Sequence, residues 1–278
     1  MTDPLLLERD LDLPCVMGVL NVTPDSFSDG GLFIHPEAAL RQGEAMAADG
    51  AAIIDVGGES TRPGSDPASV DQEAARVVPV VAALRGKVAT PVSVDTSKAE
   101  VARRALVAGA TIVNDVTALR GDPAMAEVVA EAGCPICLMH MLGAPKTMQD
   151  DPHYENVVDD VLRFLEERLA FAVAAGIREE QVMLDPGIGF GKTVEHNLLL
   201  IRHLDRFVAL GRPVVLGASR KRFLGAILDA EPQQRLFGTV ATTVIGLQAG
   251  AAVFRVHDVK PNVEALRVTE AVRTAGDG

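Results

Sequence analysis

Eight short apolar runs recur along this chain, and each ends in a side chain able to do chemistry. The runs are Cys15–Asn21, Ala52–Val56, Pro91–Asp95, Ile112–Asp115, Pro135–His140, Val182–Asp185, Pro213–Ser219 and Ala252–His257. Short runs of this kind, flanked by Gly and Pro, read as strands. Longer amphipathic stretches separate them and read as helices: Pro36–Ala48, Val70–Leu84, Lys98–Ala108, Asp122–Ala132, Glu155–Ala175, Glu195–Phe207, Lys221–Leu228 with Gln234–Gln248, and Val259–Val272. Strand and helix in strict alternation make βα units on a parallel sheet, and eight such units close into a barrel. The fold class expected is therefore α/β, a (β/α)8 TIM barrel. No linker, low-complexity tract or charge block divides the chain, so residues 1–278 read as a single domain.

The polar strand ends are Asn21, Asp55 with Glu59, Asp95, Asn114 with Asp115, His140, Asp185, Ser219-Arg220-Lys221, and Arg255 with His257. In a barrel of this type the C-terminal strand ends converge on one mouth, where the active site lies. Any one of these residues alone could serve as a cap or turn residue. Recurrence at all eight ends asks for more than capping.

Composition narrows the function. With 48% hydrophobic residues but only nine Phe, one Tyr and no Trp, packing falls to Val, Leu, Ile and Ala, which suits a buried parallel sheet. A net charge of −12 argues against general nucleic-acid binding, which needs clustered Lys and Arg, but leaves room for a small anion held by local cations. Met1–Asp10 carries Asp3, Glu8 and Asp10 and lacks the basic and apolar segments of a signal peptide. Gly238–Phe254 comes nearest to a membrane span, but its threonines, Gln248 and three glycines fit a buried helix and strand better. A cytoplasmic location away from membranes is expected. Three cysteines form no disulfide framework, and Cys134 and Cys137 read as strand residues rather than a redox pair or zinc site.

Three segments carry the site chemistry. Asp185-Pro-Gly-Ile-Gly-Phe-Gly-Lys-Thr193 ends like a phosphate-binding P-loop, but Pro186 stands where that motif needs its first Gly. Its glycines do not match G-x-G-x-x-G either. What remains is a Gly-rich turn whose backbone can approach a flat ligand. The Asp185 carboxylate can accept two parallel N–H bonds from an amidine-like edge, or pair with a neighbouring Lys or Arg. Gly217–Arg222 sets Arg220, Lys221 and Arg222 at a strand-to-helix junction, either an anion site or a solvated basic face. Arg255 and His257 share one strand face and suit diphosphate capture, with a structural His257 as the alternative. The loops Asn21–Gly31 and Gly57–Gly64 are polar and Gly-ended. The first reads as a lid, and ordinary long loops would explain either one alone.

Together these segments resemble the dihydropteroate synthase family, folate-pathway enzymes that sulfonamides target. The matching segments are Met17–Gly31 (MGVLNVTPDSFSDGG), Ile54–Gly64 (IDVGGESTRPG), Ser93–Ser97 (SVDTS), Val113–Val116 (VNDV), Asp185–Lys192 (DPGIGFGK), Ser219–Lys221 (SRK) and Arg255–Asp258 (RVHD), in family order. The resemblance implies condensation of (7,8-dihydropterin-6-yl)methyl diphosphate with 4-aminobenzoate, with Mg2+, in a homodimer, and with sulfonamides as competitive inhibitors. It implies that Asp95, Asn114, Asp185 and Lys221 bind the pterin, with Asp95, Lys221 and Asp185 carrying catalysis. Asn21, Arg255 and His257 would hold the diphosphate, and Asn21 would also ligate Mg2+. Phe27, Thr61, Pro63, Ser219, Arg220 and Arg222 would bind 4-aminobenzoate. At Arg222 some family members carry Ser. Two related readings stand beside this one: a corrinoid-linked pterin methyltransferase, and a paralogue that binds pterin without condensing it.

Overall fold

A computed structural model describes residues 11, 13–23, 36–60, 67–143 and 147–276. Its strands are β1 (Cys15–Asn21), β2 (Ile53–Gly57), β3 (Val92–Asp95), β4 (Ile112–Asp115), β5 (Ile136–Met139), β6 (Val182–Asp185), β7 (Val215–Leu216) and β8 (Val253–Val256). They form one parallel sheet in the order β6-β5-β4-β3-β2-β1-β8-β7. A bridge between Leu184 and Val214 joins the two ends, with the Leu184 N–H donating to the Pro213 carbonyl at 3.0 Å. The expected TIM barrel is the fold.

The period of two in each strand sorts side chains between two cores. Inward positions Cys15, Met17, Ile53, Ile112, Cys137, Met183, Val215 and Val253 fill the barrel interior. Outward positions such as Ile54, Val56, Val92, Val94, Leu138 and Leu184 pack under the helices. The next inward residues towards the C-terminal end are no longer apolar: Asp55, Asp95, Asn114, Asp185 and Arg255. The same alternation that packs the floor therefore places the polar residues at the mouth.

The helices are α1 (Pro36–Ala48), α2 (Val70–Arg85), α3 (Ala99–Ala108), α4 (Met125–Ala132), α5 (Val157–Ala174), α6 (Val194–Arg202), α7 (Leu204–Val208), α8 (Arg222–Leu228), α9 (Leu236–Gln248) and α10 (Val259–Arg273). Helix α2 shows how sequence sets such an element. Ser69 and Gln72 close a capping box at 3.2 and 2.9 Å, and Ala74, Val77, Val81 and Leu84 recur on one buried stripe. Among the described residues no helix is long and apolar enough to cross a membrane.

Three expectations need correction. The stretch Glu195–Phe207 is two helices, because His203 leaves helical geometry (φ −110°, ψ 29°) and turns both Leu204 and Phe207 into the core. The run Pro213–Ser219 pairs only at Val215–Leu216. Beyond it the chain departs from the ladder into a turn where Arg220 takes a left-handed φ of 58°. Cys137 is a strand residue, but Cys134 lies in the loop before β5, after the left-handed Gly133 that ends α4, and its carbonyl accepts from buried Gln181 at 2.7 Å. All three cysteines are buried free thiols.

Candidate active site

A small cavity, partly open to solvent, sits in the C-terminal mouth of the barrel. Asp95, Asn114, Asp185, Lys221 and Arg255 supply its polar wall, and Val116, Met139, Phe190 and Gly217 the rest. It lies where catalytic sites of this fold lie. A small pocket with a few converging polar groups and flat apolar sides suits a planar heterocycle.

On one side, Arg255 reaches across the mouth from β8. Its Nε donates to Asp55 Oδ2 at 2.7 Å and its Nη2 to Asp95 Oδ2 at 2.6 Å. Asn114 Nδ2 donates to the same Asp55 oxygen at 3.0 Å. Burial raises the Asp95 carboxyl to about 7; Arg255 opposes this, and Asp55, Glu73 and Asp115 add to it. Arg255 is raised because Asp55, Asp95 and Asp185 surround it, outweighing its own burial.

On the other side, Asp185 ends β6 and accepts the Gly187 N–H at 2.7 Å. Burial raises its carboxyl, against the pull of Lys221, that N–H, Arg255 and Lys192. The Lys221 ammonium stands 4.5 Å from the centre of the Phe190 ring and donates to the Ile188 carbonyl. Burial lowers Lys221 to about 8, with Arg255 adding and Asp185 and Asp95 opposing. Only Gly fits at position 187. Its φ is 70°, and a Cβ there would strike the His140 carbonyl.

His257 lies just past β8. Its backbone N–H donates to Ser219 Oγ at 3.2 Å, and that hydroxyl lies 3.0 Å from His257 Nδ1. Burial, Arg255, Arg220 and Lys221 lower His257 to about 4, so near neutrality it is an uncharged donor and acceptor rather than a cation. Asn21 ends β1 on the same rim, in register with Gly57, which is itself in register with Asp95. Arg220 does not line the cavity; it forms a two-pronged pair with Asp258 at 2.9 and 2.6 Å. Arg222 is exposed at the start of α8. Phe27, Thr61 and Pro63, with residues 24–31 of the first expected loop and 61–64 of the second, lie outside the described residues.

A model of the pterin binding enzyme family matches residues 17–257. The dihydropteroate synthase of Haemophilus influenzae is 47% identical over 266 residues, covering 96% of each chain. The chain belongs to the dihydropteroate synthase family. Solved structures of this family agree in fold. A Yersinia pestis dihydropteroate synthase with a sulfonamide drug superposes with a TM-score of 0.91 at 47% identity, covering 96% of each chain. A Xanthomonas albilineans dihydropteroate synthase in complex with 7,8-dihydropteroate superposes at 0.87 and 45% identity, covering 95% of each chain.

Some features of this dihydropteroate synthase family site were not visible in its sequence. Asp55 stood out as a polar strand end, but its bond to Arg255 did not; Val116 and Phe190 lay in matching segments without an assigned role, and Met139 carried no signal beyond being apolar. Lys192 was visible at the end of a failed P-loop and of the matching segment DPGIGFGK, with no role of its own. The structure buries it against His140 and the Phe190 carbonyl, at 2.9 and 3.0 Å.

Proposed function

We propose that this chain condenses (7,8-dihydropterin-6-yl)methyl diphosphate with 4-aminobenzoate to give 7,8-dihydropteroate and diphosphate. One observation carries the reading: Asp185, Asn114, Asp95 and Lys221 meet around a cavity with apolar walls. The N–H groups of the pterin's amino-pyrimidinone edge suit the Asp185 carboxylate and the Asn114 amide oxygen. Lys221 donates to the O4/N5 side, and Phe190, Met139 and Val116 contact the ring faces.

The side-chain methylene and its diphosphate then extend towards Asn21, Arg255 and His257. Departure of diphosphate leaves a cation at the methylene, delocalised into the ring. The Asp95 carboxylate stabilises that charge, an effect worth about 3 kcal/mol for one well-placed group. The amine of 4-aminobenzoate forms the new C–N bond and sheds a proton. Ser219, Arg220 and Arg222, with Phe27, Thr61 and Pro63, remain the proposed 4-aminobenzoate group. Arg220 acts there through its hold on the turn, since its own charge is paired with Asp258.

The donor set suits Mg2+. Among the described residues no group of three His, Cys, Asp or Glu could hold a metal by itself. Mg2+ commonly takes one or two protein oxygens plus substrate phosphates. Asn21 offers an amide oxygen at the rim, and neighbouring β2 carries Asp55 with a buried Oδ1 that has no hydrogen-bond partner among the described residues. When bound, the ion neutralises charge on the leaving diphosphate.

Sulfonamides would compete with 4-aminobenzoate; the Yersinia pestis relative was solved with a sulfonamide drug. Phe237 and Ile245 on α9 and Val268 and Val272 on α10 are exposed apolar side chains that a second copy of the chain would cover. A cytoplasmic location belongs to the same reading. The test mixes pure protein with the pterin diphosphate, Mg2+ and 4-aminobenzoate. Diphosphate release that needs both substrates is expected; release without the amine, or none at all, would overturn the proposal.

A further inference from the structure

We propose that Lys192 is a positioning residue for pterin binding: from behind the cavity it holds the Gly187–Gly191 turn so that the Phe190 ring and the Ile188 carbonyl meet Lys221. This inference rests on the pterin reading above. Lys192 is 3% exposed and is absent from the cavity wall. Its Nζ lies 3.0 Å from the Phe190 carbonyl and 2.9 Å from His140 Nδ1. A lysine amine in this setting is costly, and a methionine would fill similar volume without that cost. Burial drives the amine well below its ordinary range, and Lys221 adds to this while Asp185 opposes it.

The turn explains what the amine does there. Gly187, Gly189 and Gly191 have φ of 70°, 84° and 64°, and the Phe190 N–H reaches back to the Gly187 carbonyl at 3.1 Å. Outside groups grip the rest. Asn197 accepts from Gly189 N–H at 2.6 Å, Gln149 donates to the Gly189 carbonyl at 2.6 Å, and the Tyr154 hydroxyl donates to the Gly191 carbonyl at 2.8 Å. Among the described residues, Lys192 donates a side-chain hydrogen bond to the Phe190 carbonyl, while Lys221 meets the ring. Lys192 turns the Phe190 carbonyl inward and leaves the ring facing Lys221. His140 ties the amine to the strand end, because its backbone N–H donates to the Asp185 carbonyl at 2.9 Å. Phe164 packs edge-on against the imidazole at 4.8 Å. Burial and the neighbouring Lys192 and Arg120 lower His140 to about 2, which keeps the imidazole neutral.

The experiment compares wild type, Lys192→Met and His140→Leu by thermal unfolding, steady-state kinetics with each substrate, and calorimetry with the pterin diphosphate. Lys192→Met is expected to lower kcat/KM for the pterin diphosphate about 30-fold, since misplacement by ~1 Å can cost up to about 100-fold. The KM for 4-aminobenzoate should stay within about twofold, a split that loss of overall stability would not produce. His140→Leu, which removes one of the two partners, is expected to cost about fivefold in the same parameter. Wild-type pterin parameters in Lys192→Met, or equal loss for both substrates, would overturn the inference. If Lys192→Met does not fold, His140→Leu decides, and unchanged pterin affinity there overturns it. A wild-type protein that fails to condense the substrates sinks the functional proposal instead, so the two failures are distinguishable.

Discussion

Arg255 and Lys221 face the same cavity, yet each is held by a different kind of partner. Arg255 is fixed by two carboxylates on two other strands, Asp55 and Asp95. Lys221 is held by a carbonyl and an aromatic ring, with Asp185 near enough to influence it and no ion pair between them among those described. A guanidinium locked between acids cannot change partners without stranding a buried charge. An ammonium on neutral groups gives up little when a ligand oxygen arrives. The arginine side therefore reads as framework that also presents charge, and the lysine side as the part that responds to the ligand.

The hardest break is Arg255→Met. It leaves Asp55, which is fully buried, and Asp95 without their cation, and removing one partner of a buried pair costs about 3–5 kcal/mol. Chemical denaturation should show that loss. A change under about 1 kcal/mol would mean that the acids are stabilised in some other way. Lys221→Ala should act oppositely, slowing turnover by about 100-fold or more with little effect on unfolding; near-normal rates would remove Lys221 from the chemistry.

A pH profile sharpens the contrast. Activity that needs the Asp95 carboxylate rises with pH through about 7, and activity that needs the Lys221 ammonium falls above about 8. The kcat/KM for the pterin diphosphate should therefore be bell-shaped and narrow, and Lys221→Arg should remove the alkaline fall. A flat profile from pH 6 to 9 would contradict both assignments. Stability carries its own sign. The folded Asp95 pKa lies above the unfolded value, so the folded state holds the extra proton, and this contribution is lost as pH rises through about 7. The smallest expected effect is Arg220→Gln. Its pair with Asp258 is about a third exposed, so unfolding should shift by ~1 kcal/mol or less.

Much of the barrel was legible because each strand's period of two does two jobs. Residues 15–21, 112–115, 182–185 and 36–48 have the boundaries expected from pattern alone. The strand β7 is shorter than its sequence pattern suggests because Val214 to Ala218 is apolar throughout, and composition does not mark where a ladder stops. The rim residues Asp95, Asn114, Asp185, Lys221 and Arg255 were legible as strand endings. Their pairing was not: Asp55 and Arg255 lie 200 residues apart, and only closure of the ring brings them together. His257 was legible as a diphosphate-holding candidate, but not its charge state, which burial beside Arg255, Arg220 and Lys221 sets.

The ring closes most thinly between β6 and β7, where a single bridge does the work that three to five registered pairs do between most other strands. That seam runs between Asp185 and Lys221, the residues proposed to hold the pterin's amino-pyrimidinone edge and its O4/N5 side. A bound heterocycle would act there as a clasp, fastening the barrel wall at its weakest stave. Amide deuteration at Val214–Leu216 should then slow on pterin binding more than at the interior of β2, making the substrate part of what keeps the cylinder shut.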